Sequence, residues 1–116
     1  MSNLRQYSLS VPAASGNTDT VILSGMTVTS FHLIKTEANG NNSDTVQLQK
    51  VVGGVAQPIT QPVVLAVNDQ VIVGPAGISI DDSADVIPAN GTIRIVANNN
   101  LNCGCLCFVT GIPNLE

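Results

Sequence analysis

Apolar and polar residues alternate along most of this 116-residue chain. In TIRIVA (92–97), for example, Ile93, Ile95 and Ala97 fall on one face of an extended strand, and the residues between them fall on the other. Asn, Gly, Pro and β-branched residues interrupt the stretches in which apolar residues could recur at helical spacing. The pattern therefore indicates eleven candidate stretches for β-strands, at 7–11, 20–25, 26–34, 45–52, 55–60, 62–67, 70–74, 77–80, 85–88, 92–97 and 103–112.

Short turn signals separate these predicted strands. Gly53-Gly54 suits the positive φ values of a two-residue hairpin turn, Asn90-Gly91 is the strongest hairpin dipeptide, and Asn68-Asp69 is a weaker one. Turns at intervals of about 8–12 residues are typical of sandwiches and barrels. We predict an all-β fold, a single-domain antiparallel β-sandwich that is jelly-roll-like and has roughly eight to ten short strands. This domain spans 7–116 and follows an N-terminal arm at 1–6.

Charged residues are scarce in this chain. They make up 10 % of it, against about a quarter in a typical soluble domain. Four Lys and Arg residues stand against eight Asp and Glu residues, which gives a formal net charge of −4. Nucleic-acid binding needs clustered cations that displace counterions from phosphates, so we expect no nucleic-acid partner. A surface with so little charge is suited to assembly or to being covered by a partner.

The first ten residues do not have the pattern of a signal peptide. MSNLRQYSLS lacks the apolar run of a signal peptide, and no stretch approaches the roughly 18 apolar residues of a membrane span. We therefore expect a protein that is made in the cytoplasm and has no membrane partner. The odd number of cysteines, three, agrees with this expectation, because disulfide scaffolds of secreted proteins usually carry an even number.

The stretch NCGCLC (102–107) places Cys103, Cys105 and Cys107 at every second position. In a strand these three side chains share one face. A structural zinc site needs four ligands, and the chain has a single histidine, His32. We interpret the cysteines as a row that packs against the core or forms a subunit contact, because a free cysteine behaves as a small buried hydrophobe. A disulfide or redox pair and a metal site are the alternatives.

Other candidate sites are weaker. Asp81, Asp82 and Asp85 could offer calcium ligands, but the stretch lacks the glycine spacing of a calcium loop and is typical of a solvated turn. His32 lies in the alternating run SFHLIK, which favours a strand position over that of a catalytic base. VGGV and GPAG are too short for a phosphate-binding loop and lack its lysine. We expect no cofactor, and a binding or structural protein rather than an enzyme.

A resemblance extends over the whole chain. From MSNLRQ through VVLAVNDQVIVGPAGISIDDSADVIPANGTIRIVA to its end, the chain resembles the small virion proteins of tailed bacteriophages, particularly capsid decoration (cement) proteins. The likeness lies in the size of the chain, its composition and its succession of short strands and turns. It implies a β-rich domain, commonly a homotrimer, that binds the major capsid protein lattice on the capsid exterior and reinforces the shell. It also implies a capsid contact by the N-terminal arm, which comprises Ser2, Asn3, Leu4, Arg5 and Gln6.

Two other functions suit the same sequence features. A carbohydrate-binding β-sandwich usually stacks sugars on exposed aromatic side chains, whereas this chain has no Trp and one Tyr. A tail or head-completion protein of a phage particle is equally β-rich and self-associating. Its location in the virion would distinguish that protein from a decoration protein.

Overall fold

The computed structural model describes residues 4–12, 16–35, 45–64, 72–73, 78–98 and 104–114. These residues form ten β-strands and no helix, which confirms the predicted all-β class. The strands are β1 (Arg5–Val11), β2 (Gly16–Val21), β3 (Met26–Lys35), β4 (Thr45–Val52), β5 (Val55–Pro58), β6 (Val63–Val64), β7 (Ile72–Val73), β8 (Val86–Ile87), β9 (Thr92–Asn98) and β10 (Cys105–Pro113).

The strands form two five-stranded antiparallel sheets. In the first, called the β1 sheet, the order is β1-β10-β3, and β7 and β8 both pair with β3. In the second, called the β2 sheet, the order is β2-β9-β4, and β5 and β6 both pair with β4. Strand β1 thus pairs with β10, β2 with β9, β3 with β8 and β4 with β6. Strands β1 and β3 lie in the β1 sheet, whereas β2 and β4 lie in the β2 sheet. This is the topology of a jelly roll, as the sequence predicts.

The core lies between the two sheets and is almost entirely aliphatic. In β9 the inward residues are those that the alternation predicts, because Ile93, Ile95 and Ala97 are buried. Phe31 is the only aromatic residue among the fully buried side chains. Burying one such large side chain stabilises the fold by about 1.5–3 kcal/mol. The other buried apolar residues include Leu9, Val11, Ile22, Met26, Val28, Leu33, Val46, Leu48, Ile59, Ile87, Cys105, Cys107 and Val109.

A β-bulge bends the central pair of the β1 sheet. Thr110 is opposite Ser30 while Gly111 is opposite Val28, so Thr29 is an extra residue on β3. Gly111 is buried, and a Cβ atom built on it would lie 2.5 Å from the carbonyl oxygen of Thr27. Only glycine therefore allows the two strands to approach each other this closely.

The N-terminal boundary of the domain differs from the predicted one. Strand β1 begins at Arg5, and Arg5 and Gln6 pair with Gly111 and Thr110 of β10. These two residues of the predicted arm therefore belong to the sandwich. Arg5 and Gln6 are in a strand because they pair with β10, which lies near the other end of the sequence. The residues around Arg5 and Gln6 therefore do not indicate this pairing. Leu4 is exposed, and Ser2 and Asn3 lie outside the described residues.

Two predicted strands are also shifted or missing. The predicted strand 20–25 is replaced by β2, which ends at Val21 because its partner β9 begins at Thr92. Residues 78–80 form no strand, although 77–80 was predicted as one. In both places, the sequence pattern that predicts a strand continues beyond the residues that have a partner strand. The extent of the partner strand therefore sets the length of the strand.

The turn signals give one hairpin and one connection between sheets. Gly53 and Gly54 have φ values of 59° and 79° and join β4 to β5 in the predicted hairpin. Asn90 has a φ of 67°, as expected for an Asn-Gly turn. However, β8 belongs to the β1 sheet and β9 to the β2 sheet, so the predicted hairpin at Asn90-Gly91 is wrong. The turn there connects the sheets. Asn68-Asp69 lies outside the described residues.

Candidate interaction surface

Exposed apolar side chains cluster at one end of the sandwich. Eight large hydrophobic residues of the described part are exposed, and seven of them lie where β1 begins and β10 ends. The β2–β3 and β8–β9 connections and the β4–β5 hairpin reach the same end. We call this surface the apolar end, and its residues are Leu4, Val21, Leu23, Val52, Val55, Val86 and Ile112. The eighth residue, Val64, pairs with Thr45 at the opposite end.

On the β1 sheet, the apolar end is a row that crosses three strands. Ile112 is opposite Thr27, and Thr27 is opposite Val86. Directly opposed residues of antiparallel strands point to the same face, so Ile112 and Val86 flank Thr27 on the outer surface. Leu4 extends this row, because the next residue, Arg5, pairs with Gly111, which precedes Ile112.

On the β2 sheet, a second row reaches the same end. Val21 is opposite Thr92, which is opposite Val51 of β4, and Val51 is opposite Ala56. Beyond this row, Val52 and Val55 face each other next to the Gly53-Gly54 turn. Val55 is 69 % exposed. The apolar end thus includes exposed residues of both sheets at the same end of the sandwich.

Backbone hydrogen bonds hold the tip of the apolar end in place. The Ile22 N–H donates to the carbonyl oxygen of Gly91 (2.9 Å), and the Asn90 N–H donates to the carbonyl oxygen of Ile22 (2.8 Å). These bonds fix the chain on the N-terminal side of Leu23, which is 79 % exposed. On the other side, the Asn114 N–H donates to the carbonyl oxygen of Gly25 (3.1 Å). Leu23 is therefore presented by a framework that is ordered before any partner binds, which lowers the entropic cost of binding.

Polar contacts lie within and beside the apolar end. The Asn114 side chain donates to the carbonyl oxygen of Ile87 (3.1 Å) and accepts a hydrogen bond from the Thr27 hydroxyl (2.7 Å). The Lys50 ammonium group crosses from the β2 sheet to donate to the carbonyl oxygen of Val86 (2.7 Å). Apolar contacts mixed with hydrogen-bonding groups are usual in a protein–protein interface.

His32 lies on the outer face of the β1 sheet, opposite Phe108. The two rings stack with centroids 4.9 Å apart and an interplanar angle of 19°. The Nδ1 atom of His32 is buried and has no hydrogen-bond partner. A catalytic triad needs a carboxylate or another group to orient the imidazole through this nitrogen. The geometry of His32 is that of an aromatic packing partner.

Cys105 and Cys107 are both buried in the core as free thiols. Their Sγ atoms lie 3.8 Å apart on the inward face of β10, which is the shared strand face that their spacing predicts. The hydrogen bond with Cys105 and the burial among aliphatic side chains raise the pKa of the Cys107 thiol. This thiol is therefore neutral and unreactive at pH 7. Cys103 lies outside the described residues.

The acidic stretch at 81–85 is a hydrogen-bonded turn. A carboxylate oxygen of Asp81 accepts hydrogen bonds from the backbone N–H (2.9 Å) and the hydroxyl (2.7 Å) of Ser83. These bonds lower the pKa of Asp81. Asp82 is exposed, and Asp85 is bonded through its backbone carbonyl to Val28. In the described residues, no three His, Cys, Asp or Glu side chains are grouped so that they could hold a metal ion.

Two further surface features are an ion pair and an open cleft. Arg94 and Asp19 form a bidentate ion pair on the β2 sheet, with N–O distances of 2.9 and 3.0 Å. An open cleft of about 180 Å³ lies between Pro58–Gln61 and Ser79–Asp81. It is smaller than the pockets of roughly 300–1,000 Å³ that usually bind small molecules.

Sequence reasoning did not find the apolar end. Its residues span more than a hundred positions of the sequence, from Leu4 to Ile112. Each of them is an ordinary strand or turn residue within its own segment. The scarcity of charge was the only signal in the sequence, and it indicates a covered surface without indicating where that surface lies.

No helix among the residues with a described conformation has the length and hydropathy needed to cross a membrane.

A weak structural likeness is found among known proteins. No protein-family model matches the chain, and no curated protein matches it. Among solved structures, a chain in "Structure of infectious bursal disease virus Gx strain" aligns with 99 % of this chain and 38 % of its own length. The TM-score is 0.38 and the sequence identity is 7 %. This chain therefore spans little more than a third of that viral neighbour, and the likeness is too weak to support a function.

Proposed function

We propose that this chain is a structural protein of a virus particle, and that it binds and stabilises a capsid lattice as a decoration protein. The observation that carries the proposal is the apolar end, where seven of the eight exposed large hydrophobic residues of the described part lie together. Single exposed hydrophobic residues are common on monomers, whereas a gathering of them at one end of a domain marks a candidate interaction site. The partner in this proposal is an apolar surface of the major capsid protein.

The low charge of the chain supports an assembly role. Only 10 % of its residues are charged, so a large interface can form at this surface without removing many charges from water. A lattice presents the same docking site many times. Contacts of modest strength can therefore cover a shell when each copy also touches its neighbours.

The N-terminal residues join the domain at the apolar end. Leu4 is 61 % exposed and directly precedes Arg5, the first residue of β1. In this proposal, Ser2, Asn3 and Leu4 contact the capsid together with the apolar end. Arg5 and Gln6 contribute by holding β1 on β10.

A truncation tests the arm separately from the fold. Deleting Ser2–Leu4 leaves all seven residues of β1 in place, whereas deleting Ser2–Gln6 also removes two residues that pair with β10. We expect the shorter deletion to weaken co-sedimentation with capsids stripped of this protein, while its urea midpoint stays unchanged. Unchanged co-sedimentation would refute the role of the arm. The capsids must come from the virus that encodes the chain.

Labelling of intact particles tests the location. Antibody labelling that covers the shell in electron micrographs is expected for a decoration protein. Labelling confined to the tail or to the head–tail junction would instead identify a tail or head-completion protein. A glycan array tests the carbohydrate-binding alternative, which the structure does not favour, because Phe108 already stacks with His32. The homotrimer that the resemblance implies is tested by the native mass.

A further inference from the structure

The two lateral sides of the sandwich differ in the protection of their edge strands. On one side, the β1 sheet ends in β7 and in β8, and β8 has only two residues, between Asp85 and Pro88. On the same side, the β2 sheet ends in β6 and in β5, which contains Pro58. Short strands and proline are common devices that prevent a sheet edge from pairing with another chain. The other side carries β1 and β2, which have seven and six residues.

Strand β1 has the features of an open edge. Its register with β10 runs without interruption from Arg5, opposite Gly111, to Val11, opposite Cys105, so no bulge twists this edge away. The strand contains no proline and no lysine, and its only charged residue, Arg5, is the first one. No strand in the described part of the chain pairs with its other edge. Its outer row of N–H and C=O groups can therefore bind a further strand.

Strand β2 is a poorer candidate for pairing with its own copy. It begins with Gly16 and Asn17, residue types that are depleted in strands. Asp19 lies in its middle and is engaged by Arg94. Pairing of β2 with a second β2 would bring two carboxylates close together, and like charges across two strands are destabilising.

We infer that β1 pairs in antiparallel fashion with β1 of a second copy of this chain, around a two-fold axis at Ser8, and joins two β1 sheets into one continuous sheet. RQYSLSV is self-complementary in this arrangement. Ser8 faces Ser8 of the second copy, Tyr7 faces Leu9, and Gln6 faces Ser10. No carboxylate lies on either strand, and the two Arg5 residues lie at opposite ends of the paired strands. The contact therefore forms without like charges opposite each other, despite the net charge of −4.

The inference does not rest on the proposed function, because it concerns the purified chain alone. A two-fold contact predicts a dimer, which differs from the homotrimer that the resemblance implies. It is also the isologous contact that most homo-oligomers of soluble proteins use.

Cysteine cross-linking tests the position of the axis. Across an antiparallel pair, the two Cα atoms at the axis lie about 4.5–5.5 Å apart, which a disulfide can span. We expect S8C, made in a C103S background, to form a covalent dimer on mild oxidation. S10C is the matched control, because Ser10 is also an exposed serine on the same face of β1. Residues two positions from the axis lie roughly 13 Å from their copies, too far for a disulfide.

A charge substitution tests the same contact without a covalent bond. S8K places two ammonium groups opposite each other. Light scattering is therefore expected to show that the dissociation constant of the dimer rises several-fold. S10K places its charge opposite Gln6 and is expected to retain the dimer. Circular dichroism of both variants verifies that the exposed substitution leaves the fold intact.

Three results would overturn the inference. Equal cross-linking of S8C and S10C would indicate random collisions, and stronger cross-linking of S10C would indicate another register. A monomeric native mass of the unmodified chain at micromolar concentration, without an S8C cross-link, would show that any strand that covers β1 comes from a different protein.

Discussion

Val55 and Val64 form a matched pair that tests the apolar end as a docking surface. Both are exposed valines on strands that pair with β4, and they are 69 % and 56 % exposed. Val55 lies at the apolar end, and Val64 lies at the opposite end of the sandwich. Replacing each with serine removes a similar apolar surface from two different places. Only V55S is expected to affect binding to capsids.

The expected magnitude follows from the exposure of Val55. Complete burial of a valine side chain stabilises by about 1.5 kcal/mol, and folding alone buries about a third of this one. V55S should therefore lower the free energy of unfolding by about 0.5 kcal/mol. Burial of the remaining surface against a capsid contributes about 1 kcal/mol, so the Kd should rise roughly fivefold.

Adding L23S enlarges the effect, because Leu23 is 79 % exposed and folding gains little from it. The double variant L23S/V55S should lose about 2.5 kcal/mol of docking energy, or roughly 50- to 100-fold in Kd, if the two sites act independently.

The assay measures how much labelled protein co-sediments with stripped capsids as its concentration increases. Urea unfolding of each variant supplies the stability measurement. V64S should bind capsids as the unmodified chain does and lose a similar, small amount of stability. Equal losses of binding in V55S and V64S would refute the apolar end as the docking surface, and so would full binding by L23S/V55S.

Three further predictions concern the sandwich itself. G111A should lower the free energy of unfolding by about 1–3 kcal/mol in urea, because its methyl group would overlap backbone atoms of the adjacent strand; an unchanged midpoint would contradict this packing. The hydrogen bond from Arg94 lowers the pKa of Asp19 below its ordinary value of 3.8, so its contribution is complete above that pH and is lost as the pH falls through the lowered value. D19N should therefore lose about 0.2–1 kcal/mol at pH 7 and show a smaller loss of stability on acidification below pH 4, and equal acid sensitivity would refute this. Cys105 and Cys107 should resist Ellman's reagent in the native protein and react after unfolding in urea, whereas rapid native reaction would contradict their burial.

Some properties of the candidate surface could be predicted from the sequence and others could not. The alternation at NCGCLC predicted that Cys105 and Cys107 share a strand face, and this is confirmed, whereas the covered surface that the low charge indicates stays a prediction. That Leu23 and Ile112 lie at the same end of the sandwich could not be predicted, because each is brought there by a different set of strand pairs.

The sequence by itself determined the position of most strands, the buried faces of the regular ones and the conformation of single turns. Alternation of period two fixes which side chains share a face, and the φ preferences of Gly53-Gly54 and Asn90 act within a few residues. The tertiary structure decided which strands meet. Arg5 belongs to β1 only because Gly111 pairs with it, and the Asn90-Gly91 turn connects two sheets only because its flanking strands find partners elsewhere. Those pairings join residues far apart in the chain, and their free energy comes from burying a common core, which no local pattern records.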